Sequence, residues 1–96
     1  MSAGDWKDLY IASERGDLET VRYHLKSGVD PNYQHPEVMA TPLFASIKAG
    51  HSHIVELLLE YGTDPTLRTD FEHLNAWETA ALYHQSDILH LLANKQ

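Results

Sequence analysis

The chain has 96 residues, 43% hydrophobic and 22% charged, the composition of one small folded domain. Fourteen acidic residues against seven Lys and Arg give a formal charge of −7, a surface that repels phosphate backbones and argues against nucleic-acid and anionic-membrane binding. No cysteine is present, which excludes disulfides and thiolate chemistry, and no stretch approaches the roughly 20 apolar residues of a membrane span.

The start of the chain, Met1 to Lys7, places Gly4, Asp5 and Trp6 where a secretion signal needs an apolar block. Together with the missing cysteines, this predicts a cytoplasmic protein. The first unit then runs from Trp6 to Gly28, with Leu9 and Ala12 on the inner side of one helix. Gly16 ends that helix, Asp17 caps the next, and Val21 and Leu25 form its apolar stripe. An extended connection, Asn32 to Ala40, follows.

The middle unit opens on Thr41-Pro42, a capping hydroxyl followed by a proline suited to the first helical position. Ala45, Ser46, Ile47 and Ala49 keep this helix slim, and Gly50 supplies the left-handed residue that ends it. The second helix carries Ile54, Val55, Leu58 and Leu59 as one buried stripe and closes at Gly62, before the turn Thr63-Asp64-Pro65. After a second connection, Thr66 to Leu74, the third unit starts at the cap Asn75 and sets Trp77 where the middle unit has Leu43. Its last helix runs through Ile88, Leu89, Leu91 and Leu92 and stops near Asn94, which stands in for the missing glycine.

These units are copies. A shift of 34 residues lays Gly16 on Gly50, Gly28 on Gly62, Val21 on Val55, Leu25 on Leu59 and Asp30-Pro31 on Asp64-Pro65. The same shift lays Ile54 on Ile88, Leu57 on Leu91 and Leu58 on Leu92. A helix pair this short cannot bury its stripe alone, so the units must stack.

Thr41-Pro42-Leu43, Gly50-His51, Ile54 to Leu59 and Tyr61 to Pro65 together resemble a nearly complete ankyrin repeat. Gly16 to Val21 with Gly28 to Asn32 resembles the second half of a preceding repeat, and Asn75 to Leu92 a degenerate third. The resemblance implies an all-α solenoid of three helix-turn-helix repeats, at about residues 5–34, 39–68 and 73–96 of one domain spanning 1–96, with two extended β-hairpin-like fingers. The family's histidine after Thr-Pro-Leu, which ties adjacent loops, is Phe44 here and Glu78 in the last unit. Pro36 occupies the first finger, where the family often has glycine.

Seven histidines raise the question of a metal. His51 and His53, two apart at a helix start, point about 200° apart. His24 aligns with the core residue Leu58 and His90 with Glu56, and no pair has the i, i+4 spacing of a zinc helix. The serines lack an elbow motif, and the glycines punctuate helix ends instead of cradling phosphate. No catalytic residue, cofactor or metal is expected, and the chain is not read as an enzyme.

Surface remains, and the resemblance implies that finger tips and exposed first-helix positions line a concave face that grips another protein. The expected contacts are Tyr33, His35, Val38 and Met39 on the first finger and Arg68, Phe71, Glu72 and Leu74 on the second. Lys48, Leu82 and Tyr83 come from the helices. The acidic field suits a partner with a basic surface. The leading expectation is a monomeric adaptor or inhibitor. The alternative is an assembly or oligomerisation module that docks through its apolar last helix on a second copy or a larger protein.

Overall fold

The computed structural model describes residues 5–94, so the ends of the predicted domain, 1–4 and 95–96, lie outside the described residues. It contains six helices in three pairs: α1 Trp6–Arg15 with α2 Leu18–Lys26, α3 Pro42–Ala49 with α4 Ser52–Glu60, and α5 Ala76–Leu82 with α6 Ser86–Ala93. The odd-numbered helices pack in a row, α1 on α3 and α3 on α5, and the even-numbered helices stand behind them. One core runs through all three units, with Leu9, Val21, Val55, Leu58 and Leu92 fully enclosed.

Local chemistry sets the helix boundaries. The hydroxyl of Thr41 accepts from the Phe44 amide ahead of Pro42, and the Asp17 carboxylate accepts from the Thr20 amide at 3.2 Å. Asn75 and Glu78 form a capping box, each side chain accepting from the other's backbone amide. The expected stripe of α4 needs one change: Ile54, Val55, Leu57 and Leu58 are buried, and Leu59 is only half-buried. Asn94 also departs from expectation. Its φ is −79°, so Asn94 does not take the left-handed conformation of the glycine it was expected to replace.

The fingers are turns. Among the described residues neither contains a strand, in contrast to the hairpin-like form expected. Asp30 and Asp64 each fold their carboxylate onto the amide two residues on, at 2.9 Å, which starts both connections as tight turns. Met39 and His73, 34 residues apart, both take positive φ near the base of their fingers, at 53° and 57°.

Polar ties between units replace the absent loop histidine. The Asp64 amide donates to the Asn32 side chain at 2.9 Å. Gln34 bridges the second finger, donating to the Arg68 carbonyl at 2.8 Å and accepting from the Asp70 amide at 3.0 Å. A second tie repeats in register: His51 Nε2 meets the Glu14 carbonyl at 3.0 Å, and Gln85 Nε2 donates to the Lys48 carbonyl at 3.3 Å. Each satisfies an orphan carbonyl at the end of the preceding first helix.

The His51 tie explains one glycine. Gly16 has φ +86°, and a Cβ there would lie 2.8 Å from His51 Cε1, whereas Gly62, at φ +87°, has nothing within 4 Å. Both substitutions to alanine carry the left-handed penalty of about 1–2 kcal/mol. Only Gly16→Ala also displaces His51, so it should cost roughly 1 kcal/mol more than Gly62→Ala in denaturant melts. Equal losses would show that the His51 contact contributes nothing.

Candidate functional site: the inner-helix face and its fingers

The inner-helix row sets out two aromatic groups. At the first, Trp6 at the start of α1 stacks on His35 with ring centres 4.0 Å apart and planes within 8°. Tyr33 meets Trp6 edge-on at 6.3 Å and His35 at 6.1 Å. The predicted contacts Tyr33 and His35 are therefore half-buried, folded from the first finger onto α1. Trp6 was missing from the expected set. Its indication in the sequence was its position at the head of the first unit, just before the inner residue Leu9.

The second group joins α3 to α5. Phe44 meets Tyr83 edge-on at 6.4 Å, and the Lys48 ammonium lies 5.6 Å from the centre of the Tyr83 ring. Phe44, read in the sequence only as a lost histidine, is thus an aromatic support for Tyr83. Leu82, one residue earlier, is 52% exposed where the preceding units carry Glu14 and Lys48.

The second finger divides into a structural and a free part. Arg68 donates to the His73 carbonyl and to Glu78, so its charge is engaged in holding the finger to α5. Leu74 is half-buried beside Thr41, Leu43 and Phe44 at a gap of about 10 Å³, the size of one water. Phe71 is 73% exposed, with Glu72 exposed beside it. On the first finger Met39 is exposed and Val38 half-buried. Leu67, absent from the expected set, also reaches solvent. The acids Glu37, Asp70 and Glu72 are exposed among these apolar side chains.

Three carboxylates of this framework are held below their ordinary pKa range. The Thr20 hydroxyl and amide do this for Asp17, the Thr66 hydroxyl and amide for Asp64, and the Asn75 amide, with Arg68, for Glu78. A depressed folded value means that the unfolded chain takes up protons first as pH falls. The stabilisation is therefore complete above the unfolded carboxylate range, about pH 4, and is lost as pH drops through the lower folded values. Thermal melts should show stability falling below about pH 4, with a shallower fall in a Thr20→Ala, Thr66→Ala variant. An identical acid profile in that variant would contradict the assignment.

Among the described residues no three His, Asp or Glu side chains gather as a metal-ligand set. Among the described residues no helix is long and apolar enough to cross a membrane.

The family model for ankyrin repeats, in three copies, matches residues 9–96. The chain belongs to the ankyrin-repeat family. It is 42% identical over 67 residues to the palmitoyltransferase AKR1 of Lachancea kluyveri, an alignment covering 70% of this chain and 9% of that protein. It is 42% identical over 59 residues to the human ARF GTPase-activating protein GIT1, covering 62% of this chain and 8% of that protein. The Drosophila melanogaster ARF GTPase-activating protein Git is 38% identical over 58 residues, 60% of this chain and 8% of that protein. The chain thus spans less than a tenth of the length of these relatives. Ankyrin repeats are in general protein–protein interaction modules, and the whole-protein activities named for these relatives belong to chains many times longer.

Proposed function

We propose that this ankyrin-repeat chain is an adaptor or inhibitor that holds one partner protein against its inner helices and fingers. The observation that carries the reading is where exposed apolar side chains sit. Of the six large ones among the described residues, Met39, Leu67, Phe71 and Leu82 are on fingers or an inner helix. The other two, Tyr23 and Tyr61, have hydroxyls that suit them to water. Anchors of this kind, presented on a rigid stack, are what interface hot spots need.

Tyr83, supported by Phe44, and the exposed Phe71 are the principal anchors. Met39, Leu82 and Lys48 complete the surface, with Val38, Leu74 and Glu72 at its edge. Tyr33 and His35 contribute a fixed wall with Trp6, and Arg68 holds the finger in shape. The acids on the fingers favour a partner with a basic surface and would speed its approach at low salt. The chain acts by steric presentation and has no catalytic step.

Parallel affinity captures test this, one with the wild-type chain as bait and one with Phe71→Ala, Tyr83→Ala. A partner held by the first and lost from the second is the expected result. A partner retained equally by both would place binding elsewhere.

A further inference from the structure

Charge is divided unevenly between the fingers and the rest of the chain. Residues 30–40 and 64–74 hold five acids, Asp30, Glu37, Asp64, Asp70 and Glu72, against one arginine and no lysine. That arginine, Arg68, is engaged inside the fold by Glu78 and the His73 carbonyl. Asp30 and Asp64 are engaged too, each closing its own turn. The other three acids are different. Glu37, Asp70 and Glu72 are exposed, and among the described residues their carboxylates enter no hydrogen bond or ion pair.

These carboxylates flank the most exposed aromatic ring among the described residues. Phe71 is 73% exposed and stands in the chain between Asp70 and Glu72. The two fingers are fastened to each other beside it. The Asp70 amide donates to the Met39 carbonyl at 2.8 Å and to the Gln34 side chain at 3.0 Å. The Met39 amide donates to the His35 carbonyl at 2.8 Å, closing the turn that carries Glu37. Glu37, Met39, Asp70, Phe71 and Glu72 thus belong to one patch on two joined fingers, apolar at Met39 and Phe71 and anionic around them. It lies between units, away from both ends of the stack.

We propose that this fingertip patch receives an arginine of the partner protein, its guanidinium stacked on the Phe71 ring and its edges donating to the carboxylates around that ring. The inference rests on the concave-face reading above and names what the partner brings to it. Charge selects the occupant. An uncharged apolar partner would cover Phe71 and Met39 only by drying the carboxylates without pairing them. A second copy would press acid against acid between two chains of charge −7, and phosphate groups are repelled in the same way. A basic side chain satisfies the carboxylates and the ring together, because a cation is drawn to the face of an aromatic ring. Arginine suits this better than lysine: its planar fork stacks on the ring while donating along its edges, whereas an ammonium is a point charge. Phe71 then acts through its π face and not only as an apolar anchor.

Nuclear magnetic resonance titration of the 96-residue chain with acetyl-Arg-Leu-Arg-amide, and with its lysine and glutamine counterparts, tests this. The arginine peptide should shift the amides of Glu37, Met39 and Asp70 to Glu72 most, with a roughly millimolar dissociation constant that rises with salt. It should bind at least ~3-fold more tightly than the lysine peptide, and the glutamine peptide should leave those amides in place. Phe71→Leu keeps an apolar side chain without the ring and should weaken the arginine peptide at least ~3-fold. Glu37→Gln, Asp70→Asn, Glu72→Gln together should weaken it at least ~10-fold. All four side chains are exposed, so both variants keep the fold. Equal binding of the lysine or glutamine peptide overturns the proposal. So do shifts spread evenly to acids off the fingers, such as Glu14 and Glu60, or an unchanged affinity in Phe71→Leu. The titration does not use the captured partner, so the two readings can fail separately. A partner lost from Phe71→Ala, Tyr83→Ala but held in full by Phe71→Leu overturns the arginine site and leaves the concave face standing.

Discussion

Leu58→Ala should lower the unfolding free energy by roughly 2–5 kcal/mol, the range for emptying an enclosed leucine site. Leu58 is 0% exposed and lies in α4, at the centre of the middle unit, which touches both others. In a solenoid each unit is stabilised largely by its neighbours, so damage there is felt on both sides. A small domain holds only about 5–15 kcal/mol in total, so the variant should sit near its unfolding threshold at 37 °C. Leu59, one residue on and half-buried, gives the comparison, since Leu59→Ala removes fewer contacts and should cost clearly less. Denaturant titrations of both variants decide the matter. A Leu58→Ala protein that melts within a degree or two of the parent, or a larger loss at Leu59, would refute the assignment of the buried face.

Replacing Phe71 and Tyr83 together by alanine should weaken partner binding by at least ~2 kcal/mol, the usual threshold for hot-spot residues. The two contribute differently. Phe71 is 73% exposed, so its removal costs the fold little and any loss of affinity is direct. Tyr83 is half-buried against Phe44 and beneath the Lys48 ammonium, so its removal also loosens Phe44 and frees Lys48. A small stability loss, about 0.5–1.5 kcal/mol for one aromatic pair, should accompany that half of the double variant. Glu56→Ala with His90→Ala, both exposed on outer helices, should change neither quantity. Calorimetry on the captured partner reads the affinities. Full affinity in the Phe71, Tyr83 variant would remove the concave face from consideration.

The repeating architecture was legible because it is written in punctuation. Gly16, Gly50, Asp17, Thr41 and Asn75 each act through the backbone beside them, and such signals survive without tertiary context. What escaped were contacts between units. Glu78 looked like a lost histidine, but it completes a capping box and anchors Arg68, a pairing that depends on the finger's path. Gln34 carried no motif and Asn32 only closed the stretch that resembles the first repeat, yet they tie one finger to the next across 32 to 36 residues of chain. The face of α4 was read one residue off, because Leu57, Leu58 and Leu59 are consecutive leucines with no polar residue between them to mark the boundary. At the candidate site, periodicity located the inner-helix rows. Which finger aromatics turn inward and which stand free depended on the fit of His35 to Trp6, and Phe71 has no such neighbour among the aromatic pairs of the described residues.

The most direct test of the concave-face account is a hydrogen-exchange footprint of the chain with and without its captured partner. The account predicts slowed exchange at amides of 33–39 and 68–74 and at the exposed ends of α3 and α5, with α2 and the outer face of α4 unchanged. Protection confined to the outer helices, or to α6 alone, would contradict it.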